Sequence, residues 1–433
     1  GGREHALAWK MTQSELLSEL FLWPGNSAMK GLGQFLPLSA NASFAELVAA
    51  SKQKNIDLVV SGPEAPLSQG LADAFAAAGI PTFGPVQKVA QLEASKSFAK
   101  SVMAKAGIPT AAYVEAKGEA QCRELAMNML QKSGGVVLKA SGLAAGKGVF
   151  VCRDLAAIEE GLKRLFHTDM RDAADTVVIE EILEGRECSY FCFLGDAGLL
   201  SLGFAVDYKR LDDGDQGPNT GGMGCYAPVP WLPENAADLV QAKVVLPLVE
   251  ALKASGLTYR GCLYVGLMWS ATKGPQVVEF NVRLGDPEAQ VLALYDEGDW
   301  LAWIAASCGL GGEGVKKRLT GDVHVKAGAA VTVVMAASSY PYGSDPGEVA
   351  ALPAKLFANT RDTTVATFAA NVAPSATGDL TTGSGRVLAV SARGVDFAAA
   401  RVAAYARVQE IGTVWKGARW RSDIAKIVGG KSQ

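Results

Sequence analysis

The sequence predicts a multidomain protein combining α/β and α+β units, and three observations carry that reading. A chain of 433 residues, at roughly 150 residues per domain, allows about three domains. Up to residue 93, helical and strand patterns alternate, and each strand closes in a Gly/Pro turn, as in a parallel α/β sheet. From about residue 95 the strands follow one another as antiparallel partners with helices set to one side, the mark of an α+β unit.

Taken in order, residues 4–11 and 14–20 read as helices, followed by a short strand at Leu20–Trp23 that ends in Pro24-Gly25. A helix over 43–54 leads to strand Ile56–Val60 and the turn Gly62-Pro63; a helix over 67–78 leads to Ile80–Phe83 and Gly84-Pro85. Ligands of such sheets bind at the carboxyl ends of strands, where these turns fall. Helices are expected at 95–106, 118–132 and 154–166, with strands at Val136–Lys139 and Thr176–Glu181. The segments 187–194 and 199–206 read as an antiparallel pair joined at Gly195-Asp196. Residues 207–224 are polar and glycine-rich, a loop too long to be idle in a compact domain. A helix over 234–255 and strands 261–269 and 276–283 follow, then strands near 329–335, 364–369 and 386–391 and a helix over 395–411.

Composition narrows the function classes. Hydrophobic residues are 49% and charged residues 20% of the chain, ordinary for a globular protein. The formal charge is −3, with no basic run, so no nucleic-acid partner is expected. Seven cysteines without a Cys-x-x-Cys pair argue against a disulfide framework and for a reducing, cytoplasmic setting. No apolar run approaches the ~18 residues of a membrane helix, so no membrane association is expected. The opening Gly1-Gly-Arg-Glu-His resembles a glycine turn entering a helix, so a preceding strand and the initiator methionine are expected to be missing.

Four segments could carry chemistry. Lys139-Ala-Ser-Gly-Leu-Ala-Ala-Gly-Lys-Gly148 follows an apolar strand; small residues let backbone N–H groups close on phosphate, and Lys139 and Lys147 add charge. It is not a Walker A loop, because the glycine spacing is one short and Gly148 stands where Ser or Thr would hold magnesium. A flexible hairpin tip is the plain alternative. Val177-Val-Ile-Glu-Glu-Ile-Leu-Glu-Gly-Arg-Glu187 ends a strand in two carboxylates; beside a nucleotide, the backbone around Glu180–Ile182 would read adenine and Glu187 the ribose. In Val277-Val-Glu-Phe-Asn-Val-Arg283, alternation puts Val277, Glu279, Asn281 and Arg283 on one face and Val278, Phe280 and Val282 on the other. Glu279 and Asn281 offer hard oxygens for Mg²⁺. Arg283 would grip a carboxylate or a phosphoryl group. Last, Asp207-Tyr-Lys-Arg210 with Pro218-Asn-Thr-Gly-Gly-Met-Gly224 offers both charges on a tight backbone able to enclose a substrate, or else forms a disordered surface loop.

In this order and at these distances the four segments resemble the ATP-grasp ligases and, among them, the phosphoribosylamine–glycine ligase (glycinamide ribonucleotide synthetase) family. Gly1-Gly-Arg-Glu-His-Ala-Leu-Ala-Trp-Lys10, Gly62-Pro-Glu-Ala-Pro-Leu67, Gln91-Leu-Glu-Ala-Ser-Lys-Ser-Phe-Ala-Lys100, Gly217-Pro-Asn-Thr-Gly-Gly-Met-Gly224 and Glu279–Glu288 extend the likeness over nearly the whole chain. The resemblance implies an N-terminal parallel α/β (pre-ATP-grasp) domain over 1–93, an ATP-grasp domain over 94–322 with an inserted lid at about 110–182, and a C-terminal α+β domain over 323–433. It implies that ATP, glycine and 5-phosphoribosylamine yield glycinamide ribonucleotide, ADP and phosphate by way of glycyl phosphate, with Mg²⁺ or Mn²⁺. Carried over residue by residue, ATP would meet Lys100, Lys139, Gly146, Lys147, Gly148, Glu180, Glu181 and Glu187, and the metal Glu279 and Asn281. Glycine would lie near Asp207, Arg283 and the loop Asn219, Thr220, Gly221, Gly222, with Arg283, Lys209 and Asp207 as the catalytic residues. The ribose phosphate would sit on Gly2, Arg3 and Glu64, with Asp286 and Glu288 close by. Oligomeric state is left open, a monomer being compatible with the pattern. Three departures stand out: Ser141 replaces an aspartate, Ser338-Ser339-Tyr340-Pro341 replaces a Gly-Gly-Tyr-Pro, and Phe357-Ala-Asn-Thr360 replaces a His-x-Gly-Thr. Another ATP-grasp ligase or carboxylase, or a silent nucleotide-binding protein, is the alternative.

Overall fold

The computed structural model describes residues 1–433 apart from 143–147, 169, 171, 313, 314, 316–327, 362, 377, 427 and 429–433. At the N-terminal end two short parallel strand pairs form, Phe21–Leu22 with Gln34–Phe35 and Val59–Val60 with Thr82–Phe83. Helices surround them, as the alternation predicts. Residues 14–20 do not continue the first helix, Gly2–Met11. The Thr12 hydroxyl donates to the Trp9 carbonyl and the Ser14 hydroxyl accepts from Leu16 N–H, so side chains take the place of helical backbone bonds. The helix expected over 67–78 divides into Glu64–Ser68 and Leu71–Ala77, because Gly70 turns the chain at φ 94°.

The sheet formed between residues 113 and 181 is antiparallel, in the order Tyr113–Ala116, Val177–Glu181, Val136–Ala140, Val149–Cys152. Helices Glu119–Ser133 and Leu155–Phe166 are packed in the same layer, and Cys122, Leu138, Ile158, Leu162 and Ile179 fill the space between. The strands after residue 185 do not join this sheet. Arg186–Gly195 and Gly198–Asp207 lie instead in a nine-stranded antiparallel sheet. Its path runs from Gly274–Asn281 through Gly261–Ser270, Arg186–Gly195, Gly198–Asp207 and Gly224–Ala227 to Ala329–Ala337, Arg386–Gly394 and Val365–Ala369, with Ala418–Arg419 paired alongside. The central and C-terminal parts of the chain are thereby joined by one hydrogen-bonded ladder.

Three further segments depart from the expected outline. The helix expected over 234–255 forms, but widens to a π turn at Gln241–Val245 just before Pro247. Pro247 cannot donate and its ring would press on the carbonyl four residues back, and a wide turn accommodates both. The long loop 207–224 holds a two-stranded ribbon, Arg210–Asp212 against Gln216–Asn219. Helices Glu288–Tyr295 and Trp300–Ser307 fill the interior between the sheet and the first helix.

Candidate active site

The lysine–glycine loop starts at a buried ion triad. The Lys139 and Lys100 ammonium groups lie 2.7 Å and 3.0 Å from the two oxygens of Glu180, and all three side chains are buried. Lys100 also donates to Thr110 Oγ1 at 2.8 Å, and Thr110 donates to the Val277 carbonyl at 2.6 Å. Burial, against the pull of Glu180, lowers the pKa of Lys100. Lys96 stands on the same helix; burial lowers its pKa too, while Glu279 opposes the shift. Two lysines sharing one carboxylate leave a net positive, desolvated pocket, which a phosphate chain would neutralise. Gly146 and Lys147 lie outside the described residues. Gly148 closes the loop, its carbonyl accepting from Ala140 N–H at 2.9 Å. Ser141 fastens the loop to the helix Lys96–Ala106: its carbonyl accepts from Lys96 N–H and its hydroxyl from Ser97 N–H. Glu181 pairs with Ala112 through backbone and side chain, which fixes the strand end ahead of Ile182.

The strand Gly274–Asn281 differs from simple alternation at one point. Gly266 pairs with Glu279 but Leu267 pairs with Val277, so Val278 is an extra residue. This bulge turns Val277 into the same core as Phe280 and Val282, not onto the face of Glu279 as alternation predicts. The freed Val278 carbonyl accepts from Lys139 Nζ at 3.3 Å, which ties the strand to the triad. Arg283 lies just past the strand end, yet its Nη2 donates to Asn281 Oδ1 at 3.1 Å. It is also held by Glu64 at 3.1 Å and Glu93 at 2.7 Å. Glu93 escaped the sequence reading. Its signal was a carboxylate in the last turn of the helix Gln87–Ala94, where the dipole disfavours it unless a cation faces it. Burial raises the Glu93 pKa despite Arg283.

On the opposite side stand the ribbon and its flanks. Lys209 forms an ion pair with Glu187. Burial opposes the Lys209 charge, but Glu187 and Asp207 outweigh it and hold its pKa well above the ordinary value. Burial, reinforced by Glu288 and opposed by Lys209, pushes Asp207 up to about 7. Thr220 closes the ribbon base through two bonds to the Lys209 carbonyl. Gly222 sits at φ 107°, and a Cβ there would lie 2.6 Å from Pro287, so glycine is required for the loop to meet Gly285–Glu288. Arg386, which no sequence pattern marked, donates to the carbonyls of Gly221 (2.5 Å) and Asp286 (2.6 Å) and joins these two loops. On the N-terminal side Arg3 donates to the Leu284 carbonyl at 3.1 Å, and its guanidinium lies 3.9 Å from Glu64. A cleft lined by Arg3, Ser61, Gly62, Arg283 and Leu284 opens here at the end of the strand Val59–Val60. Gly2 starts the helix beneath, and a Cβ on it would meet Gln290 at 2.7 Å.

Glu279 has the character of a metal ligand. Burial would raise its pKa, but Lys209, Lys96, Lys139 and Arg283 together lower it, so the carboxylate stays ionised. Asn281 Oδ1 retains a lone pair beyond the Arg283 bond. Among the described residues no group of three His, Cys, Asp or Glu side chains gathers to hold a metal. Two hard oxygens from protein suit a Mg²⁺-type ion that takes its remaining ligands from nucleotide phosphates and water.

Comparisons with known proteins cover most of the chain. Residues 1–93, 94–289 and 330–427 match the N, ATP-grasp (A) and C domains of phosphoribosylglycinamide synthetase. A phosphoribosylamine–glycine ligase of Rhizobium meliloti (strain 1021) is 40% identical over 429 residues, covering 98% of the chain and 96% of the relative. One from Allochromatium vinosum is 41% identical over 437 residues, with the same coverage. The crystal structure of phosphoribosylamine–glycine ligase from Thermotoga maritima superposes with a TM-score of 0.75 at 33% identity, covering 98% of the chain and 97% of that structure. A biotin carboxylase from Campylobacter jejuni shares the fold, with a TM-score of 0.67 at 15% identity over 96% of the chain and 90% of its own. The chain belongs to the phosphoribosylglycinamide synthetase family.

Proposed function

We propose that this protein spends ATP, with a divalent metal, to join the carboxylate of glycine to the amine of 5-phosphoribosylamine, giving glycinamide ribonucleotide, ADP and phosphate in purine biosynthesis. The observation that carries the reading is the meeting of Glu279, Asn281 and Arg283 with the Lys100–Glu180–Lys139 triad. A carboxylate oxygen is a poor leaving group, so the γ-phosphoryl group first moves to a glycine carboxylate oxygen as the bond to ADP breaks. The amine nitrogen then attacks the carbonyl carbon, and the C–O bond to phosphate breaks. Such transfer needs positioning and charge neutralisation more than a covalent nucleophile.

Lys100, Lys139 and the loop ending at Gly148 hold the phosphates, and Glu181–Ile182 and Glu187 the nucleoside. A metal at Glu279 and Asn281 would neutralise the developing charge. Mg²⁺ and Mn²⁺ both suit these oxygens. Asp207 and the Asn219–Gly222 loop hold glycine, with Lys209 and Arg283 facing its carboxylate. Gly2, Arg3 and Glu64 take the ribose phosphate side. Glu288, whose pKa burial raises, receives the proton released by the attacking amine. We place domain boundaries near residues 93 and 322 and the lid at about 110–182. Seven free cysteines suit a cytoplasmic setting. No helix of the described residues is long and apolar enough to cross a membrane.

The test is ADP release with glycine and freshly made phosphoribosylamine, each omitted in turn. Release that requires both supports the reading. Release driven by bicarbonate, or by neither substrate, overturns it.

A further inference from the structure

The ribbon Arg210–Asn219 is too short to hold its own position. Two strands of three and four residues form a marginal hairpin at best. Its tip, Asp212 to Asp215, is acidic, and like charges on a short turn repel. The structure shows what holds it. Arg421, 1% exposed, reaches across from the far end of the chain. Its Nη1 donates to Asp215 Oδ1 at 2.7 Å and to the Arg210 carbonyl at 3.1 Å. Nε and Nη2 bind the two oxygens of Asp423, each at 2.7 Å, and Asp423 in turn accepts from Gly214 N–H at 2.8 Å. The guanidinium lies 4.7 Å from the ring centre of Tyr208, whose hydroxyl accepts from Ala425 N–H. Two outer contacts repeat the pattern: Arg419 with Asp212 at 2.6 Å, and Ser422 N–H with Asp213 at 2.8 Å.

We infer that the segment Arg419–Ala425 is a clamp that sets the glycine site from the C-terminal domain, with Arg421 as its positioning residue. This inference rests on the reading that the ribbon bases, Asp207 with Lys209 and Asn219 to Gly222, receive glycine. Arg421 contacts the first residue of the ribbon, its tip, and Tyr208 between Asp207 and Lys209. A shift of the clamp therefore moves both bases together. Its planar fork satisfies Asp423 at two points while a third nitrogen serves the ribbon, a geometry that lysine cannot reproduce. The Lys100–Glu180–Lys139 triad makes no contact with the clamp among the described interactions. The clamp thus bears first on glycine, its one described link toward the nucleoside being the Lys209–Glu187 pair.

The test compares Michaelis constants for glycine with dissociation constants for Mg-ADP in Arg421→Gln, Arg421→Lys, Asp215→Asn and Asp207→Asn. Asp215 is 69% exposed, so its exchange leaves the core intact if Arg421→Gln does not fold. Arg421→Gln is expected to raise the glycine KM about tenfold, and Asp215→Asn about threefold, while Mg-ADP binding stays within about twofold. Arg421→Lys recovers part of the loss. A folded Arg421→Gln, or Asp215→Asn, with wild-type glycine KM overturns the clamp, as does a parallel weakening of Mg-ADP. If Asp207→Asn raises the glycine KM and the clamp variants do not, only the clamp fails. If Asp207→Asn leaves glycine KM unchanged, the glycine reading itself falls, and the clamp with it.

Discussion

Removing the Arg283 guanidinium should separate a structural cost from a chemical one. Arg283 lies between Glu64 and Glu93, 3.1 Å and 2.7 Å away. Glu64 is 31% exposed and water can take over its charge, so its pair contributes little. Glu93 is 7% exposed and cannot be rescued in that way. In Arg283→Ala its carboxylate would be stranded, a loss of about 3–5 kcal/mol for a broken buried pair. Glu93 can escape by taking a proton. Its pKa is already raised by burial, and without Arg283 it rises further. The folded form then binds a proton that the unfolded chain, near 4.5, has lost. A raised carboxyl pKa gives stability that is complete below the unfolded value and falls as pH rises toward the folded value. The loss therefore grows from pH 6 to pH 7, up to the cost of the stranded charge. At roughly 2 °C per kcal/mol, a loss of about 3–5 kcal/mol lowers thermal unfolding by roughly 6–10 °C, and by less at pH 6 than at pH 7. Arg283→Ala/Glu93→Gln should regain most of that stability and lose the added pH slope, yet glycine-dependent ADP release should stay reduced by orders of magnitude. Differential scanning calorimetry from pH 6 to 8, paired with the ADP assay, reads both. An unchanged transition in Arg283→Ala would refute the electrostatic argument. Turnover regained in the double variant would mean that Arg283 serves only to neutralise Glu93.

Further outcomes are expected elsewhere. Glu279→Gln should reduce Mg²⁺- or Mn²⁺-dependent ADP release by about a hundredfold or more; full activity would place the metal elsewhere. Asp207, held at about 7, is half-protonated near neutral pH, and the ammonium of glycine beside it should pull that pKa down. Glycine binding at pH 7 should therefore release about half a proton, seen by calorimetry in two buffers of different ionisation enthalpy; no release, or release persisting in Asp207→Asn, counts against it. Ala425 holds φ 55°, a left-handed conformation that glycine adopts without a Cβ clash. Ala425 is also fully buried, so in Ala425→Gly the relieved strain is offset by the lost methyl and stability should change by less than about 1 kcal/mol, checked by thermal melting.

Periodicity made the amphipathic elements legible and failed where burial is uniform. The helix Leu155–Phe166 has an apolar face toward Leu138 and a charged one outward, and its bounds could be read to within one residue. Glu288–Tyr295 is buried all round, so no polar face announced it. The bulge at Val278 could not be foreseen, because nothing in Val277-Val278-Glu279 distinguishes one extra residue from regular pleating. The part of the candidate site formed by short motifs was legible from residue type and spacing: Lys139, Glu279, Asn281, the glycines before Met223. The partners that hold those residues, Glu93, Arg386 and Arg421, come from elements far away in sequence, and only the fold brings them near.

The C-terminal departures from the family pattern can now be weighed by what each position contributes. Ser338 and Ser339 stand for a glycine pair, yet neither has positive φ among the described residues, so side chains there incur no backbone strain. What the segment sends to the site is Tyr340, whose hydroxyl accepts from Gly221 N–H at 2.8 Å, and that residue is kept. Asn359 turns back on its own domain, exchanging two hydrogen bonds with the Thr367 backbone. It pairs there with the open edge of the strand Val365–Ala369, where any side chain with an adjacent donor and acceptor would serve. Ser141 differs from these two because it touches the loop itself. It accepts from Ser97 N–H with a neutral hydroxyl at 3.2 Å, whereas an aspartate would bring a full charge to the first turn of that helix. That charge would stand beside Lys96 and Lys139 and offset part of the field that draws phosphate. Serine keeps the loop fastened without drawing Lys139 away from the triad that it forms with Lys100 and Glu180, so Ser141→Asp should weaken Mg-ADP binding and leave the glycine KM unchanged.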